Sequence, residues 1–139
     1  MSRWPAIKTI RDLKVYEVAY RLAIEVFNLT KTFPKEETYS LVDQLRRSSR
    51  SIASNIREGY AQRRYEHVFV RHLNDALGSC EESRTWLEFG ADAGYLTKEA
   101  RVRFDQQYDE LSAMLYRLMD TWHGIEEPLS DLRPQTSDL

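Results

Sequence analysis

Apolar residues recur at helical spacing along nearly the whole chain. Leu13, Tyr16, Tyr20, Ala23 and Phe27 follow at intervals of three and four, beside a second stripe of Val15, Ala19, Leu22, Val26 and Leu29. Two adjacent stripes make an apolar face wider than a solvent-facing bundle helix needs. Asp12 is placed to cap this helix. Pro34 disfavours helix at the residue before it, so 33–37 reads as a loop. Leu41, Leu45, Ile52, Ile56 and Tyr60 mark a second helix, sharing their face with Ser48, Ser49, Ala53 and Ser54. Small side chains there let a neighbouring helix come close. Gly59 reads as a stop or kink.

The third helix shows the cleanest heptad, Phe69, Leu73, Ala76, Cys80, Ser83, Leu87 and Gly90. Gly94 suits the position just past its end. Thr97 caps a fourth helix carrying Phe104, Tyr108, Leu111, Leu115, Leu118 and Trp122. The pattern predicts an all-α, antiparallel up-down four-helix bundle with helices over 12–32, 38–59, 65–93 and 97–122. These form one domain over 1–123, and 124–139 reads as a flexible acidic tail.

Composition adds limits. The 139 residues are 42% hydrophobic and 30% charged, the balance of one globular domain. Cys80 is the one cysteine, which excludes an internal disulfide and a cysteine-based zinc site. No signal peptide or membrane span is present in the pattern, so a soluble cytoplasmic protein without a membrane partner is expected.

Net charge is −2, unevenly spread: +1 over 1–45, +5 over 46–72 and −8 over 73–139. Such asymmetry marks an anion-binding surface, or two oppositely charged surfaces that meet in an assembly. Arg46, Arg50 and Arg57 fall at spacings of four and seven on the second helix, with Arg47 beside them and Arg63 and Arg64 in the connector. Guanidinium groups at this density bind phosphates. The competing reading pairs them with the acidic third and fourth helices, within the chain or across a subunit interface. Of the aromatic residues that favour nucleic acid by stacking, Tyr60 and Tyr65 stand nearby in sequence.

Candidate chemistry is sparse. His67 and His72 lie about 140° apart around a helix, and His123 stands alone. No Glu-x-x-His pair or glycine-rich phosphate loop occurs. Glu58, Glu81, Glu82 and Glu88 read as solvated or ion-paired rather than as metal ligands, and Cys80 as a small buried hydrophobe. Asn55 reads as a polar residue bonded to another helix or subunit. No catalytic residue, metal or cofactor is expected.

Several blocks then agree in order and spacing. They are Asp12-Leu13-Lys14-Val15-Tyr16, then Phe33-Pro34-Lys35-Glu36-Glu37, then Leu41-x-x-Gln44-Leu45-Arg46-Arg47. Ser51-Ile52-Ala53-Ser54-Asn55-Ile56-Arg57-Glu58-Gly59 and Phe69-x-x-x-Leu73-x-x-Ala76-x-Gly78-Ser79-x-x-Glu82 follow. Over about 12–122 the chain resembles the 23S ribosomal RNA intervening-sequence proteins and the related accessory variability determinant of diversity-generating retroelements. It departs from their pattern at Ala53, Arg57 and Ser83, and Arg57 puts a charge at a position that is small in the family. The resemblance implies a homopentamer of four-helix bundles without enzymatic activity. It also implies a structural role for Gln44, Asn55, Glu58 and Glu82, and, from the retroelement relative, a basic surface for nucleic acid and a reverse transcriptase. The wide face of the first helix independently favours an oligomer. The expected function is a non-enzymatic homo-oligomer that binds RNA or a nucleic-acid-bound protein through Arg46, Arg47, Arg50, Arg57, Arg63 and Arg64. The alternative is a protein-interaction scaffold whose arginines serve ion pairs.

Overall fold

The structure, a computed structural model, describes residues 9–122. The expected tail over 124–139 and His123 lie outside them. Four helices, α1 (Lys14–Thr30), α2 (Leu41–Ala61), α3 (Glu66–Asp92) and α4 (Lys98–Thr121), form the fold, and no strand occurs among the described residues. No helix there is long and apolar enough to cross a membrane.

Two helix ends depart from the sequence reading. Asp12 does not cap α1: its carboxylate accepts the Thr9 N–H at 3.1 Å and closes a short 3-10 turn, leaving Leu13 at the cap. Gly59 does not stop α2, which continues to Ala61. A Cβ at position 59 would sit 2.6 Å from His72 Cβ and 3.0 Å from Phe69 Cδ1, so the glycine is there to let α3 approach. The other two signals act as read. Gly94 takes φ +83°, while the Tyr95 and Gly94 N–H groups donate to Gly90 and Ala91 carbonyls at 2.9 and 3.0 Å, a Schellman end to α3. Thr97 Oγ1 accepts the Ala100 N–H at 3.0 Å.

The heptad of α3 and the stripe of α4 are buried along their length. Each helix packs on the next in the chain, α2 on α3 most extensively, and α4 returns lightly to α1. The α2–α3 seam is a ladder of small polar contacts. Ser48 and Ser83 hydroxyls meet at 2.9 Å, Ser79 Oγ donates to Ser51 Oγ at 3.1 Å, and His72 Nδ1 donates to Asn55 Oδ1 at 3.3 Å. Residue numbers therefore fall along α3 as they rise along α2. Ser54, expected on this packed face, is instead exposed.

The inner stripe of α1 is buried through Val15, Ala19, Leu22 and Val26. The stripe of Leu13, Tyr16, Tyr20, Ala23 and Phe27 is only partly covered: Leu13 and Tyr16 are buried, but Tyr20 is 41% exposed and the neighbouring Ile24 48%. At the far end the two loops are tied together: Tyr95 OH donates to Glu37 Oε2 at 2.8 Å, and the Tyr95 ring lies 5.2 Å from that of Phe33.

Candidate functional site

Each residue of a helix turns about 100° from the last, so Arg46 and Arg47 point different ways. Arg46 is half-buried. Its Nε donates to Thr30 Oγ1 at 2.8 Å and its Nη2 to the Phe27 carbonyl at 3.4 Å, with the guanidinium 4.5 Å from the Phe27 ring. It satisfies acceptors in the last turn of α1, where a cation also suits the helix dipole. Arg46 is a packing residue, unlike the surface ligand the spacing suggested.

Arg47, Arg50 and Arg57 are exposed on α2. Among the described residues none of the three makes an ion pair. Arg57 Nη1 donates to Tyr16 OH at 3.3 Å, and Arg50 lies 5.9 Å from the Phe27 ring. Arg63 donates to the Tyr60 carbonyl at 3.0 Å and stacks 4.0 Å over the Tyr60 ring, while Arg64 is exposed in the connector.

The aromatic neighbours come from another helix than the sequence suggested. Tyr60 is buried and Tyr65 half-buried. Tyr16, Tyr20 and Phe27 of α1 instead line a groove of about 510 Å³ against α2, with Ile24 on its wall and Arg50 and Arg57 at its rim. No local signal pairs these positions, which lie 23 to 41 residues apart in the chain.

The opposite face, α3–α4, treats arginine differently. Arg84 is held by Asp105, Glu81 and Asp109 at 2.9, 3.3 and 3.3 Å, and Arg101 by Asp92 and Glu88 at 3.2 and 3.4 Å. The hydrogen bond to Asp105 does most to raise the Arg84 pKa. At the α1–α4 edge, Arg103 and Arg21 reach Glu25 at 2.7 and 2.8 Å. Partial burial raises the Glu25 pKa, but the two arginine bonds outweigh it and hold the carboxyl below its ordinary range. Acidic side chains of α1, α3 and α4 thus answer arginines of those same helices, and within the described chain they do not answer Arg47, Arg50 or Arg57.

The polar signature divides. Asn55, Ser79 and Gly59 join α2 to α3. Gln44 and Glu58 are exposed with no side-chain bond to another helix among the described residues. Glu82 accepts the Trp86 Nε1–H at 3.1 Å on its own helix, and a Cβ on Gly78 would meet nothing within 4 Å. Among the described residues Gln44, Glu58 and Glu82 thus make no side-chain bond to another helix, whereas Asn55 does. The seam also includes Ser48, Ser51 and Ser83, and of these the sequence pattern marks only Ser48 as a small residue for close approach.

No group of three His, Cys, Asp or Glu side chains among the described residues converges as a metal site, and Glu58, Glu81, Glu82 and Glu88 form none. Burial pushes the Cys80 thiol up to about 12, which suppresses the reactive thiolate. His67 is exposed and His72 is half-buried against Asn55, so only one of the two is a surface histidine.

Residues 11–117 match the family model described as 23S rRNA-intervening sequence protein. No curated protein matches the chain. Among solved structures, a protein of unknown function from the S23 ribosomal protein family of Bacteroides thetaiotaomicron is similar at 28% identity and a TM-score of 0.69. The similarity covers 76% of this chain and 97% of that one.

Proposed function

The chain belongs to the 23S rRNA-intervening sequence protein family, and from that premise we propose a non-enzymatic, cytoplasmic, homo-oligomeric up-down bundle that binds RNA through the outward arginines of α2. One observation carries this reading: Arg50 and Arg57, on one strip of α2, and Arg47 beside them are exposed and have no carboxylate partner among the described residues. Phosphate oxygens supply what the chain withholds from them. Arg63 and Arg64 extend the basic surface into the connector. Self-association, pentameric in the resemblance, is supported by the exposed Phe89 and Val102 of α3–α4, 58% and 49% open to solvent.

The test is labelled-RNA anisotropy with oligomeric mass recorded by light scattering in the same buffers. Three phosphate contacts predict a fall in affinity of about 20-fold between roughly 50 and 200 mM salt. Absence of binding at both salts with the oligomer intact overturns the RNA reading. The scaffold alternative draws support from Arg46, which serves packing alone. Under it, replacing Arg47, Arg50 and Arg57 weakens assembly and leaves polyanion binding negligible throughout.

A further inference from the structure

We infer that the α1–α2 groove takes unstacked bases, so that the ligand class of this surface is a single-stranded polynucleotide rather than a duplex. The inference rests on the RNA reading above and narrows it.

Phosphate affinity alone explains the arginines but not what lies between them. The groove beside Arg50 and Arg57 has about 510 Å³ of space, and its walls are rings and apolar side chains: Tyr16, Tyr20, Phe27 and Ile24. Tyr20 and Ile24 are 41% and 48% exposed and Phe27 is half-buried, so these three offer the open apolar surface, while Tyr16 is buried. Arg11, ion-paired with Glu17 at 3.1 Å, lies 4.5 Å over the Tyr20 ring, so a guanidinium plane stands beside an aromatic ring next to the groove. Both are surfaces on which nucleobases stack. Duplex RNA keeps its base faces internal and offers this groove only phosphate and sugar. A splayed strand offers both charge for Arg47, Arg50 and Arg57 and flat apolar faces for the groove. Charge complementarity selects a polyanion, and the aromatic lining selects one with exposed bases.

Pure electrostatics makes the opposite forecast, because the duplex carries the higher charge density and releases more counterions per phosphate neutralised. The two mechanisms therefore separate in one experiment on the full chain. Anisotropy is measured at about 100 mM salt with an unstructured uridine-rich RNA, a duplex of the same length, and an abasic backbone of the same length. The single strand binds about tenfold tighter than either comparator. Tyr20→Ala lowers its affinity to that of the abasic strand and leaves duplex binding unchanged, whereas Tyr20→Phe retains the preference. Ile24→Ser, at a still more exposed position, reduces the preference in the same direction.

Equal binding of all three ligands overturns the inference and leaves the RNA reading standing. So does a single-strand preference that survives both Tyr20→Ala and Ile24→Ser. Failure of all three ligands to bind overturns the RNA reading, and this inference with it.

Discussion

The α1–α2 and α3–α4 faces contain the same cation in opposite circumstances. On α3–α4, Arg84 and Arg101 sit among five carboxylates within 3.4 Å. On α1–α2, Arg50 and Arg57 border aromatic rings and meet no carboxylate among the described residues. The difference teaches that arginine count is a poor guide to role. A guanidinium ringed by its own chain's acids has its donors and charge answered, while one beside a tyrosine keeps both for a partner.

The largest break in that contrast comes from reversing the open arginines. The triple variant Arg47→Glu, Arg50→Glu, Arg57→Glu lowers RNA affinity at least about 100-fold near 50 mM salt. Its melting temperature stays within about 4 °C of the parent, because exposed substitutions change stability little. Gly59→Val strikes the frame that holds both faces. Its Cβ would collide with His72 Cβ at 2.6 Å, costing about 2 kcal/mol or more in urea unfolding, with RNA affinity per folded molecule unchanged.

Arg84→Ala tests the saturated face. It removes a partner shared by Asp105, Asp109 and Glu81, and as a surface network this is worth about 1 kcal/mol, with no loss of RNA binding. Glu25→Gln gives the smallest effect, a few tenths of a kcal/mol at neutral pH. Because the Glu25 pKa is depressed in the fold, its contribution is present above the ordinary carboxylate range and is lost as pH falls through the folded value. Parent and Glu25→Gln stability curves therefore converge on acidification.

The helices were readable because their apolar periods are regular. The α3 heptad from Phe69 to Gly90 is the buried set of that helix. What escaped reading depends on rotation and on distant partners. Arg46, Arg50 and Arg57 share one strip at successive spacings of four and seven, and only the acceptors opposite, Thr30 Oγ1 and the Phe27 carbonyl at the end of α1, decide that Arg46 turns inward. Tyr16 reaches Arg57 across 41 positions, beyond any local pattern. Gly59 looked like punctuation since a helical glycine usually is; its purpose appears only once His72 stands opposite. The serine ladder has no local signal, since Ser48 meets Ser83 across 35 positions and Ser51 meets Ser79 across 28.

Cys80 carries a last consequence. The chain's one thiol lies fully buried in the α3 stripe, its ionisation pushed up to about 12. A thiol reagent in neutral solution meets it only while the surrounding helices are parted. The rate of modification then counts openings of the molecule, and under conditions where reclosing outruns chemistry it reads the population of the open state directly. The residue the chemistry leaves idle serves as a clock for the fold.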